Sequence, residues 1–158
     1  MKKAQLDGLT PQLGKDSSME YVFHGSLLRL EHFLTRKNLH SDLSFRSPSK
    51  KMQEVSCFGE NGKGNINDDW KCVIVDQAND GPLEIGQAFR LRHMKTKKLL
   101  VCGSDDFAVK FTAGIFPNYQ KEIGCLELNE CQNDSDLWFI DKIIKKELIS
   151  DDFMVMDK

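Results

Sequence analysis

No stretch of this 158-residue chain runs beyond about five apolar residues, whereas a membrane-crossing helix needs about 20. A transmembrane helix is therefore not expected. The first twenty residues, MKKAQLDGLTPQLGKDSSME, begin basic but lack the apolar stretch of about 7–15 residues that follows in a secretory signal. No export signal is expected in them. A charge excess of one sign is missing too: 22 basic side chains face 24 acidic ones, for a formal net charge of −2. That balance argues against a whole-domain grip on nucleic acid, which asks for a clustered basic face.

Cysteine is present without a pattern. The five residues Cys57, Cys72, Cys102, Cys125 and Cys131 are odd in number, scattered, and nowhere spaced C-x2-C, so neither a disulfide scaffold nor a zinc site is expected. His24, His32 and His40 lie too far apart for one strand to present all three to a metal. The chain has no G-x-S-x-G elbow, no P-loop and no G-x-G-x-x-G. Catalytic residues, metals and cofactors are therefore not expected. Binding is the better reading.

What the sequence does hold is a repeat. Residues 25–40, GSLLRLEHFLTRKNLH, match residues 86–101, GQAFRLRHMKTKKLLV, with Gly25/Gly86, Arg29/Arg90, Leu30/Leu91, His32/His93, Thr35/Thr96, Lys37/Lys98 and Leu39/Leu100 in register at an offset of 61. Further on the offset becomes 68: Glu54-Val55-Ser56-Cys57 matches Glu122-Ile123-Gly124-Cys125, and Asp69-Trp70 matches Leu137-Trp138. An insertion around 103–118 accounts for the difference. Within each unit apolar and polar residues largely alternate, which predicts half-buried strands over LLRLEHF, Asn38–Ser41, Gln53–Phe58, Trp70–Val75, Leu99–Cys102, Glu122–Leu128 and Leu137–Ile140. IDKIIKKEL near the C-terminus is the best helical candidate, and it is short.

Units of four strands build propeller blades or trefoil lobes, and the chain is too short for a propeller of about four blades or more. The expected fold class is all-β and β-trefoil-like, with two clear units and an incomplete third lobe. Strand-like material for that lobe is present at Tyr21-Val22-Phe23 and Phe153-Met154-Val155-Met156. The expected organisation is a polar N-terminal extension over 1–20, a repeat domain over 21–143 with units at about 22–78 and 84–143, and a C-terminal segment over 144–158 that helps complete the third lobe.

The runs RLEHFLTRKNLHSD and SPSKKMQEVSCFGENGKGNINDDW resemble the MIR repeat, named for protein mannosyltransferases and the inositol trisphosphate and ryanodine receptors. They are most similar to the stromal cell-derived factor two family and the lumenal domain of protein O-mannosyltransferases. Gly25, Arg29, Leu30, His32, Thr35, Leu39, His40, Ser41, Pro48, Gln53, Glu54, Val55, Ser56, Gly59 and Trp70 fit the family pattern. Arg36 replaces its usual glycine, and Asp42 stands where the L-H-S-H motif has its last histidine. The resemblance implies a non-catalytic module of the endoplasmic reticulum lumen, acting in protein O-mannosylation or glycoprotein quality control. Its implied partners are a glycan or client polypeptide, lumenal chaperones and a mannosyltransferase.

Two ligand sets follow. His40, Ser41 and Asp42, placed after Leu39 at the end of a short strand, join Arg29, Gln53 and Glu54 as candidate ligand residues, with Phe45 and Phe58 as an aromatic face for a sugar. Arg36, Lys37, Lys50, Lys51, Arg90 and Arg92 form the alternative, a phosphate-recognising set in a cytosolic regulatory module. Arg29 and Arg90 are read first as structural ion pairs, His32 and His93 as turn-bonding residues, and Trp70 and Trp138 as core plugs.

Overall fold

The computed structural model describes residues 21–76, 80–103, 109–111 and 118–142. Eight strands form one antiparallel sheet in the order β1-β5-β6-β7-β10-β4-β3-β2: β1 Leu27–Leu28, β2 Glu31–His32, β3 Lys37–Arg46, β4 Gln53–Phe58, β5 Trp70–Ile74, β6 Phe89–His93, β7 Leu99–Cys102 and β10 Ile123–Leu126. A separate hairpin, β8 Val109–Phe111 with β9 Asn118–Gln120, occupies the insertion inferred from the change in repeat offset. Two short 3-10 turns, Ile66–Asp68 and Leu128–Glu130, close the units, and the described residues include no α-helix. The fold is all-β and trefoil-like. The apolar run over Tyr21-Val22-Phe23 is coil rather than strand, Leu137–Ile140 is reduced to a single bridge from Trp138 to Phe89, and the C-terminal segment over 144–158 lies outside the described residues, which end at 142.

The two units repeat their bonds as well as their letters. Leu28 pairs Trp70 across β1 and β5, and Phe89 pairs Trp138 in the second copy. Each indole Nε1 donates to a backbone carbonyl at 3.0 Å, Trp70 to Leu39 and Trp138 to Leu100. Arg29 pairs Asp69 at 2.6 Å, and Arg90 pairs Asp136. His32 Nδ1 and His93 Nδ1 each stand 2.8 Å from the threonine hydroxyl three residues on. The turns after them put Arg36 at φ 55° and Lys97 at φ 66°, so the family's glycine position is left-handed here too, and a side chain tolerates it.

The core lies where the units meet. Trp70, Leu91, Leu100 and Cys125 are buried together, and Leu28, Leu39, Val55, Phe89, Ile123 and Trp138 pack around them. The seam closes by pairing the equivalent strands β4 and β10 through Gly124↔Glu54 and Cys125↔Gln53. Gly124 is required there, because a Cβ would sit 2.6 Å from the Cβ of the fully buried Met52. On the other side of the joint, His93 Nε2 meets the Asn67 carbonyl of the first unit at 3.0 Å.

That contact makes stability pH-dependent. Burial pushes the His93 pKa below its ordinary 6.5, and the bond to the Asn67 carbonyl only partly opposes the shift. Because the folded value is the lower one, the contribution is fully present above about pH 6.5 and is lost as pH falls toward the folded value, where the unfolded chain already holds the proton. Denaturant midpoints are expected to fall between about pH 7 and about pH 5, with a flatter profile in His93→Gln. Equal slopes in the two proteins would contradict this assignment.

Candidate functional site

Alternation along β3 and β4 decides which polar residues meet. Cross-strand partners share a face, so the pairs Asp42↔Glu54 and His40↔Ser56 place these side chains together, next to Phe58. After Asp42 the register jumps to Arg46↔Gln53, and the bulged residues 43–45 carry Phe45 outward. The result is an open cleft of about 270 Å³ lined by His40, Asp42, Phe45, Glu54, Ser56, Phe58, Asn65 and Asn67. This is just under the range of about 300–1,000 Å³ usual for drug-sized ligands, which suits a small or partly exposed one.

Its polar groups are held in place from behind. His40 Nδ1 lies 2.8 Å from Asp68 Oδ1, and the second oxygen of this fully buried carboxylate accepts from the Asn65 backbone N–H. Asn65 in turn caps the 3-10 turn by accepting from Asn67 N at 2.8 Å. A carboxylate only accepts, so Nδ1 carries the proton. The opposite ring nitrogen, Nε2, makes no hydrogen bond among the described residues. The imidazole leans on Phe58, with ring centroids 4.7 Å apart. Asp42 accepts from Ser44 N and from Asn67 Nδ2, each at 2.8 Å, and the Ser44 bond holds its carboxyl below the ordinary 3.8. Asn67 Oδ1 is buried with no partner. Phe45 and Phe58 are 59% and 48% exposed, so two aromatic rings flank acceptors already fixed in position.

Of the first candidate set, the structure brings His40, Asp42 and Glu54 into the cleft with both phenylalanines. Ser41 and Gln53 are placed on the opposite face, buried and bonded to one another at 2.7 Å, with the Ser41 hydroxyl donating to the Glu54 carbonyl at 2.6 Å. The reason is the length of β3: it runs to Arg46, so alternation turns Ser41 inward between His40 and Asp42. Arg29 stands outside the cleft, tied to Asp69 and to the Asn65 carbonyl. Ser56, Asn65, Asn67 and Asp68 were not foreseen as site residues. The spacing Asn65-x-x-Asp68 is a capping-box pattern that would have pointed to them.

The phosphate set does not converge. Arg36 pairs Glu31 at 2.5 Å, Lys37 starts β3, Lys50 and Lys51 lie on the β3–β4 loop, and only Arg90 and Arg92 share a cleft. The buried Cys125 thiol is pushed up to about 11 by burial, so it stays protonated at neutral pH. Among the described residues, no helix is long and apolar enough to cross a membrane.

Comparison with known proteins agrees with the fold. The family model described as MIR domain matches residues 9–138. A stromal cell-derived factor 2-like protein of Dictyostelium discoideum is 46% identical over 79 residues, covering 50% of this chain and 35% of the relative. The crystal structure of the SDF2-like protein from Arabidopsis thaliana superposes with a TM-score of 0.63 at 28% identity, over 85% of this chain and 65% of that one. The S. cerevisiae protein O-mannosyltransferase Pmt1-Pmt2 complex bound to the sugar donor gives 0.59 at 29% identity, over 76% of this chain and 17% of that one. This chain thus spans about a third of the Dictyostelium relative. Matched over most of its length and in its solved folds, the chain belongs to the MIR domain family.

Proposed function

We propose that this chain is a non-catalytic MIR-type binding module of the endoplasmic reticulum, serving protein O-mannosylation or glycoprotein quality control by recognising a glycan in the His40–Asp42 cleft. The observation that carries the reading is the cleft itself. Asp42, Glu54 and the free edge of the His40 ring offer acceptors for sugar hydroxyls, and Phe45 and Phe58 offer an apolar face for the carbon side of a ring. The names of the relatives support this setting: two are named for stromal cell-derived factor 2 and one is a mannosyltransferase complex described with its sugar donor. A client polypeptide bearing such a glycan, a lumenal chaperone and a mannosyltransferase are the partners this reading names.

Titration with methyl α-mannoside and with an O-mannosylated peptide tests it. His40→Ala and Asp42→Ala are each expected to weaken binding roughly tenfold or more, the size of one hydrogen bond involving a charged group. Affinity unchanged in both variants would remove the site. Recovery of the native protein with lumenal chaperones or a mannosyltransferase would support the setting, and recovery only with cytosolic partners would overturn it.

A further inference from the structure

A second cleft lies on the other unit, on the sheet face turned away from the core. Register places Lys71 beside Arg92, Val73 beside Arg90 and Arg92 beside Leu99, while Trp70, Cys72, Leu91 and His93 face inward. Arg90, Arg92, Lys97, Val73, Leu99, Glu127 and Leu128 line a cavity of about 280 Å³ there. It shares no residue with the His40–Asp42 cleft.

Comparison of the two units isolates what is unusual. In the first unit the charges at these positions cancel: Arg29 pairs Asp69, and Glu31 pairs Arg36. In the second, Arg90 still pairs Asp136, but the partners of the other ion pair are replaced by Arg92 and Lys97. Neither cation has an ion pair among the described residues. Lys71 stands directly across from Arg92, and like charges at opposed sheet positions are destabilising. Arg92 is nevertheless fixed in place, its Nε donating to the Lys97 carbonyl at 3.0 Å and leaving the terminal guanidinium nitrogens uncommitted. A local rule is broken here with no compensating contact, as occurs where a ligand supplies the missing charge.

We propose that this cleft is a second binding site, taking the dianionic head of a phosphate monoester between Arg92 and Lys97, with the carbon skeleton of the ligand against Val73, Leu99 and Leu128. With Arg90 paired, the cations Arg92, Lys97 and the neighbouring Lys71 outweigh the one other carboxylate of the lining, Glu127, by two charges, which matches the roughly two negative charges of a monoester near neutral pH, and the guanidinium fork suits phosphate oxygens. The same head group is found on small metabolites and on phosphorylated side chains.

Calorimetric titration of the full chain with phenyl phosphate at low salt is the test. Arg92→Glu restores the charge arrangement of the first unit, so it should fold with an unchanged or higher melting temperature while binding falls tenfold or more. Binding should also weaken steeply with added salt. Tighter capture of a phosphoserine peptide than of phenyl phosphate would support a polypeptide source, and the reverse a free metabolite. Equal affinity for phenylacetate and phenyl phosphate, unaltered binding in a folded Arg92→Glu protein, or no heat with either phosphate would each overturn the proposal.

Discussion

Replacing Trp70 with alanine is expected to cost about 3–5 kcal/mol, the range for emptying a large aromatic site in a packed core. The indole is fully buried, sits against His93 with ring centroids 5.1 Å apart, and joins Leu91, Leu100 and Cys125 in a cluster that both units share. Its Nε1 bond to the Leu39 carbonyl is lost with it, which adds an unmade hydrogen bond to the cavity. A loss of this size is a large fraction of the roughly 5–15 kcal/mol that holds an ordinary domain together. Trp70→Phe keeps most of the apolar volume and should lose about 1–2 kcal/mol, mainly through the missing donor. Trp138, matched in sequence and in its bond to Leu100, is only partly buried, so Trp138→Ala should cost clearly less. Urea melts of the three variants decide the matter: equal losses at Trp70 and Trp138 would refute the asymmetry of the core.

The second large effect is expected at Asp68, which contacts no ligand in the reading above and yet fixes the cleft. Its carboxylate is fully buried and satisfies two donors at once, His40 Nδ1 and the Asn65 backbone N–H. Asp68→Ala leaves both without their partner, at a cost of about 1–3 kcal/mol for the buried imidazole donor and less for the backbone N–H of the exposed Asn65, which water can reach. His40→Ala removes one of those donors, so the double variant should lose less than the sum of the single ones, with a coupling of about 1 kcal/mol or more. Asp68→Ala should also weaken sugar binding without touching the ligand, because the imidazole loses the bond that orients it. A stability change below about 0.5 kcal/mol, the range of ordinary surface substitutions, would show that the capping network is not what holds this corner.

How much of this was legible in the sequence depends on the range of the interaction. Local signals survived well: the limits of Gln53–Phe58 and Leu99–Cys102, the turn-bonding histidines, the arginine ion pairs and the place of the insertion all follow from alternation and self-comparison. The second strand of the first unit was read too short. Ending it at Ser41 put His40, Ser41 and Asp42 into one outward loop, whereas pairing with β4 carries the strand on to Arg46 and turns Ser41 inward. Phe45 reaches the cleft only because of the bulge between Asp42 and Arg46, a feature of pairing that no period-two count contains. The role of Asp68 was hidden for a similar reason: its partner His40 is 28 residues away, and only the closed fold shows that a turn-capping carboxylate also anchors a histidine on another strand.

The joint between the units has a direction. The histidine of the later copy reaches back to the turn of the earlier one, at the Asn67 carbonyl, and is fully buried by doing so, while its counterpart His32 remains exposed. At the offset of 68 that aligns Trp70 with Trp138, the later copy carries Ser135 in the place of Asn67. The two units are therefore joined unequally, the histidine of the later one meeting a carbonyl of the earlier one, with no reciprocal bond from His32 among the described residues.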